Sequence, residues 1–197
     1  MTKFALSRVT GQDGDVSFVF VSGNLALDLA GTRKWRRTEP EELLATPDDL
    51  AQWFAEAGEF TDGIVVDDET LHGALTLREA VYRLASARLA GERFAKRDLA
   101  VVNDLAARPG MRVALSARGV TKSGDAQAAL ADVARAAVDV LADDTVSMKE
   151  CGRPSCTRIY LDRSRGARRT WCGMDECGNR VKAAAYRARK RAAVDED

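Results

Sequence analysis

The chain has 197 residues, 46% of them hydrophobic and 30% charged, with thirty basic and thirty acidic side chains. That composition excludes a disordered or fibrous chain, and the length accommodates one domain of about 150 residues plus a small appendage. The zero net charge hides an asymmetry: residues 149–193 hold thirteen Lys or Arg against four Asp or Glu, a net +9, while Asp195–Asp197 adds −3 and residues 1–148 carry −6.

An acidic body with a basic appendage points to a polyanionic partner. Residues 1–14 lack the apolar run of a signal peptide, and no stretch reaches the roughly 18 apolar residues of a membrane span. A cytoplasmic protein with reduced thiols and no membrane partner is therefore expected.

The expected elements begin with a short β-branched and aromatic strand over Val16–Val21. Leu25–Thr32 follows, with leucines that fit either a strand or a helix. Asp28 lies in the middle of that apolar run, with Arg33, Arg36 and Arg37 just beyond it. The plain reading is a structural ion pair at a helix end; the sharper one is a small-molecule or anion pocket formed by Asp28, Arg33, Arg36 and Arg37.

Thr46-Pro47-Asp48-Asp49 is a helix start: an N-cap threonine, a proline in the first turn and carboxylates at the positive dipole end. Leu50, Trp53, Phe54 and Ala57 share one face of this helix, and Gly58 closes it. The two aromatic rings read as core anchors.

Asp67-Asp68 opens a longer helix whose Leu71, Leu75, Leu77, Val81, Leu84 and Leu89 run to Gly91. His72, the single histidine, reads as an exposed first-turn residue, and its solitude argues against a His-based active site. A further helix is expected from Asp98 to Arg108, then a strand over Met111–Ser116 with a turn-rich return through Gly119–Gly124. An Ala-rich helix follows from Asp125 to Ala142. No phosphate-binding glycine loop, nucleophile elbow or metalloprotease motif occurs, and the chain does not read as an enzyme.

All four cysteines, Cys151, Cys156, Cys172 and Cys177, lie in the last quarter of the chain as two C-x4-C pairs fifteen residues apart. Paired thiolates separated by a hairpin-length spacer are the pattern of a tetrahedral metal site. With sulfur filling every position, one Zn2+ would be structural, because no place remains for an activated water. Thr157–Leu161 reads as a strand, Asp162–Arg169 as a turn and Thr170–Cys172 as the return, a zinc-ribbon-like β-hairpin.

The sequence after Cys177 is an Ala-rich helix former, with Arg180, Arg187 and Arg191 on one face and Val181, Ala185 and Ala188 on another, able to pack on the hairpin. Basic residues of both parts are candidate nucleic-acid contacts: Arg158, Arg163, Arg165, Arg168, Arg169, Arg180, Lys182, Arg187, Arg189, Lys190 and Arg191. DNA is favoured. RNA is the alternative, with Tyr160, Trp171 and Tyr186 as stacking faces, and a protein-interaction adaptor is a further one.

Cys177-Gly178-Asn179-Arg180 resembles the signature of the CGNR zinc-finger family. The LDRSR segment at Leu161–Arg165, the Arg169–Cys172 segment and the tail from Lys182 to Arg189 are similar to that family too. Upstream, Gly23–Leu29 with Thr32, then Pro47–Leu50 and Trp53, resemble the ABATE domain that usually precedes this finger. The resemblance implies a bacterial stress-induced transcription regulator with zinc held by Cys151, Cys156, Cys172 and Cys177. Thr170 stands between Arg169 and Trp171, where the family pattern leads one to expect arginine next to tryptophan.

The expected architecture is mainly α, of α+β type: a helical N-terminal domain with a few short strands over 1–148, a finger over 149–193, ending in a basic helix, and an acidic tail over 194–197. A small-molecule effector and a homodimer are compatible with the helical domain.

Overall fold

The computed structural model describes residues 17–58, 60, 63–117 and 119–195, with the side chains of Ala188 and residues 192–195 left aside. Chain order gives α1 (Leu25–Ala30), β1 (Arg33–Lys34), β2 (Glu41–Glu42), α2 (Pro47–Glu56), α3 (Asp68–Ala90) and α4 (Lys96–Ala106). Then come β3 (Arg112–Ser116), β4 (Gly119–Ser123), α5 (Ala126–Ala142), β5 (Met148–Glu150), β6 (Ile159–Leu161), a π-helical turn over Met174–Gly178 and α6 (Asn179–Asp195). The mainly helical α+β architecture expected from the sequence is the one observed.

Local chemistry sets the helix starts. The Thr46 side chain accepts from the Asp49 N–H, and an Asp49 oxygen accepts from the Thr46 N–H at 2.8 Å, a reciprocal capping box with Pro47 in the first turn. Asp67 caps α3 and Asp125 caps α5 by accepting from the N–H three residues on. Helix α4 begins at Lys96, two residues earlier than expected, and Ala95 supplies no side-chain cap.

The long α3 and Ala-rich α5 form the centre, with α1, α2 and α4 packed around them. Gly73 allows the two central helices to close up: a Cβ there would lie 3.3 Å from a Leu130 methyl. Trp53 and Phe54 are buried core anchors; their rings lie 5.5 Å apart and Phe60 packs edge-on against Phe54. Leu89 is exposed, at the end of the helix, where the apolar stripe has outrun the core. His72 is exposed.

Two expectations change and one open choice is settled. Residues 17–21 form no strand, and Val16 lies outside the described residues; Phe18 is buried, and Phe20 stacks 5.8 Å from Trp53. Leu25–Ala30 is a helix, capped by the Asn24 side chain. The finger hairpin pairs β6 with β5, Met148 opposite Leu161 and Glu150 opposite Ile159, and not with Thr170–Cys172. The first cysteine pair therefore occupies the turn of its own hairpin. Alternation does the rest: Ile159 and Leu161 enter the helical core, while Tyr160 faces the cysteines.

Candidate metal centre and its arginine surface

The turn from Cys151 to Cys156 is held by Cys151 N–H donating to Arg158 O and Cys156 N–H donating to Arg153 O. Gly152 lets the returning chain approach, because its N–H donates to Thr170 O at 2.8 Å and a Cβ would meet the Thr170 side chain at 2.9 Å. The π-helical turn brings in Cys177. All four sulfurs are buried and lie within 4.8 Å of one another.

The thiols are free, with Cys156 and Cys172 sulfurs 3.9 Å apart and Cys172 and Cys177 sulfurs 3.7 Å apart. A tetrahedron with sulfur 2.3 Å from its centre has edges of about 3.8 Å, so the donor set fits zinc. The Cys172 N–H points at the Cys151 sulfur, 3.4 Å away, an outer contact of the kind that orients a ligand. Hydrogen bonding to Cys151, reinforced by burial, pushes the Cys156 thiol up to about 12. A divalent cation supplies the charge that lets the whole cluster ionise.

The centre is closed by the helical body as well as by the finger. Val21 and Trp35 pack against the cysteines together with Trp171. Arg169 lies 4.4 Å above the Tyr160 ring and donates to the carbonyls of Val21, Trp171 and Cys172. Leu161 N–H donates to Ser22 O at 2.7 Å, and Arg37 makes a two-pronged pair with Glu150 at 2.7 and 2.8 Å. Nothing in the sequence marks Val21 or Trp35 as part of the metal centre.

The LDRSR segment works as a staple. Asp162 accepts from Lys149 Nζ, from the Ser164 N–H and hydroxyl, and from the Arg169 N–H. Burial alone would raise its pKa, yet Lys149 and these donors hold it well below the usual carboxylate range. In the CGNR segment, Gly178 sits against Met174 and Trp171, where a Cβ would meet the end of the Met174 side chain, and Asn179 donates to Asp175.

The candidate contacts divide in two. Arg163, Arg165 and Arg168 of the loop and Arg180, Lys182, Arg187, Arg189, Lys190 and Arg191 of α6 are exposed. Arg158 is buried and paired with Glu176, and Arg169 is committed to carbonyls, so neither side chain is presented to a partner. Arg153, absent from the sequence-based set, stands beside α6 with its guanidinium 4.6 Å above the Trp35 ring. Of the three proposed stacking rings only Tyr186 is open; Tyr160 is fully buried and Trp171 packs on the cysteines. On α6, Val181 is half-buried, whereas Ala185 is exposed and does not pack on the hairpin.

Asp28, Arg33, Arg36 and Arg37 do not come together as a pocket. Asp28 accepts from the Val21 and Ser22 N–H groups at 3.1 and 3.0 Å. Burial raises its pKa against those hydrogen bonds. Arg33 and Arg36 pair with Glu79, Arg36 lies 4.0 Å above Tyr82, and Arg37 reaches Glu150.

The fold and the site define a helical domain joined to a zinc finger with a four-cysteine centre. Residues 23–144 match the model of the ABATE family, described as "Putative stress-induced transcription regulator", and residues 148–190 match the CGNR zinc finger. The chain belongs to the ABATE family and carries a CGNR zinc finger with one zinc. No match was found among curated proteins. Among the described residues no helix is long and apolar enough to cross a membrane.

Proposed function

We propose that this protein is a DNA-binding transcription regulator of the cytoplasm. Residues 149–193 dock on DNA through arginines positioned by zinc held on Cys151, Cys156, Cys172 and Cys177, and residues 1–148 receive an effector or partner. One observation carries the reading: α6 leaves the metal centre with all six of its basic residues, from Arg180 to Arg191, exposed. A helix so little buried and so rich in cations gains little from intramolecular packing and much from a polyanion. The helical body instead pairs Arg36, Arg78 and Arg83 with carboxylates. No catalytic constellation is assigned to the chain.

Mobility-shift titration of the full zinc-loaded chain on genomic DNA fragments, at low and at raised salt, tests the proposal. Retardation that weakens steeply with salt is the expected result. No retardation at low salt overturns it, and preference for single-stranded RNA over duplex DNA replaces it with the RNA reading.

A further inference from the structure

We infer that one sugar–phosphate strand of duplex DNA runs through the cleft between the first cysteine turn and helix α6. This deepens the DNA-binding reading and rests on it. The cleft has a volume of about 890 Å³, with Arg153, Pro154 and Ser155 on one wall and Arg180, Ala184 and Arg187 among the residues of the other. Arg180, Ala184 and Arg187 fall at i, i+4 and i+7, so the two guanidinium groups lie on one face of α6 with Ala184 between them.

The chemistry of the walls selects the occupant. Arg153, Arg180 and Arg187 have no carboxylate partner among the described residues. Three unneutralised guanidinium groups around one groove call for anionic groups spaced along a chain, and guanidinium forks match phosphate oxygens. Stacking on Trp35 holds the half-buried Arg153 at the cleft wall, and its Nη1, which is buried, has no hydrogen-bond partner among the described residues.

Between these cations the lining is mostly apolar, with Pro154, Ala183 and Ala184 contributing. Such a surface offers few donors and acceptors to base edges, with Ser155 and Asn179 the neutral polar groups of the lining. It suits deoxyribose. A ribose 2′-hydroxyl against alanine methyls would lose water without gaining a partner, which favours DNA over RNA. The strand in the cleft would place α6 alongside the duplex with Lys182, Tyr186 and Arg189 on its other faces.

The test uses the full zinc-loaded chain and a mixed-sequence DNA duplex of about 20 base pairs, roughly two helical turns. Arg153→Ala and Arg187→Ala are each expected to weaken binding roughly three- to tenfold and to lower the slope of log affinity against log salt by about 1. Ala184→Leu fills the cleft without changing charge and is expected to weaken DNA binding comparably while zinc content and thermal stability stay unchanged. RNA of the same sequence is expected to bind more weakly to the wild type and to respond less to Ala184→Leu. If the wild type binds DNA but Arg153→Ala and Ala184→Leu bind as tightly as it does, the cleft is overturned and the broader reading stands. If the wild type binds no DNA at low salt, both fall.

Discussion

Arg169 donates from its guanidinium to the carbonyl of Val21 at 2.8 Å, across 148 residues of chain, and to the carbonyl of the neighbouring Cys172. One side chain thus ties the helical body to a residue of the metal centre. The body and the finger share a core as well, since Met148, Ile159 and Leu161 are buried with the helices. The zinc centre is a joint between the two parts, not an appendage.

Removing zinc should therefore destabilise the helices too. Structural zinc contributes roughly 10–16 kcal/mol in isolated finger peptides. Chelation followed by circular dichroism at a helix wavelength is expected to show one cooperative transition at a much lower temperature. An unchanged helical transition would show that the body is independent of the metal. Cys172→Ser should reproduce the effect without chelator and lose stoichiometric zinc.

Neighbouring arginines should separate stability from binding. Arg169→Ala removes several hydrogen bonds from a charged donor, and a loss of about 2–3 kcal/mol is expected in denaturant unfolding. Arg168→Ala, exposed on the same loop, should stay within about 0.5 kcal/mol of wild type. Its effect should appear in DNA affinity and salt slope instead.

Trp35 covers the cysteines from the body side and carries Arg153 on its other contact. Trp35→Ala should keep one zinc per chain but release it to a chelator faster, by about 10-fold or more, because contacts surrounding metal ligands commonly alter affinity by that order. Release at the wild-type rate would show that the indole does not shield the centre.

Acid should expose the Arg83–Asp98 pair. Asp98 is held below its ordinary value of 3.8 by hydrogen bonds from Arg83, against the effect of burial. A carboxylate whose folded pKa is depressed contributes stability that is present above its unfolded value and is lost as pH falls through the folded one. Asp98→Asn should therefore be less stable than wild type at neutral pH, and the gap should narrow as pH drops below 3.8. A gap that stays constant below that pH would show that the carboxylate charge contributes nothing.

Much of the fold was readable because its signals are local. Thr46, Asp67 and Asp125 cap helices with N–H groups three residues on, and cap chemistry needs only neighbouring sequence. The paired cysteine spacing is equally local, and it located the metal centre. The expected strand over Val16–Val21 had the right composition, but residues 17–21 have no ladder partner among the described residues, and Phe18 and Phe20 pack with the core all the same.

Partners chosen across long stretches of chain were not readable. Asp28 looked toward Arg33–Arg37 by proximity in sequence, yet backbone N–H groups of a preceding loop satisfy it, and Glu79 and Glu150 take the arginines. Which arginines remain open was settled in the same way. Arg158 and Arg169 look like Arg163 and Arg168 in sequence, but strand alternation and the closing of the cysteine turn direct them inward.

By itself, the sequence determined the helices, the four thiols and the accumulation of positive charge near them, because caps, spacing and composition act over a few residues. Only the tertiary structure decided which body residues close the metal centre, which strands pair and which cations stay free. Those outcomes depend on burial and on contacts that reach as far as the 148 residues between Val21 and Arg169, and desolvation makes a charge's availability depend on where the whole chain places it.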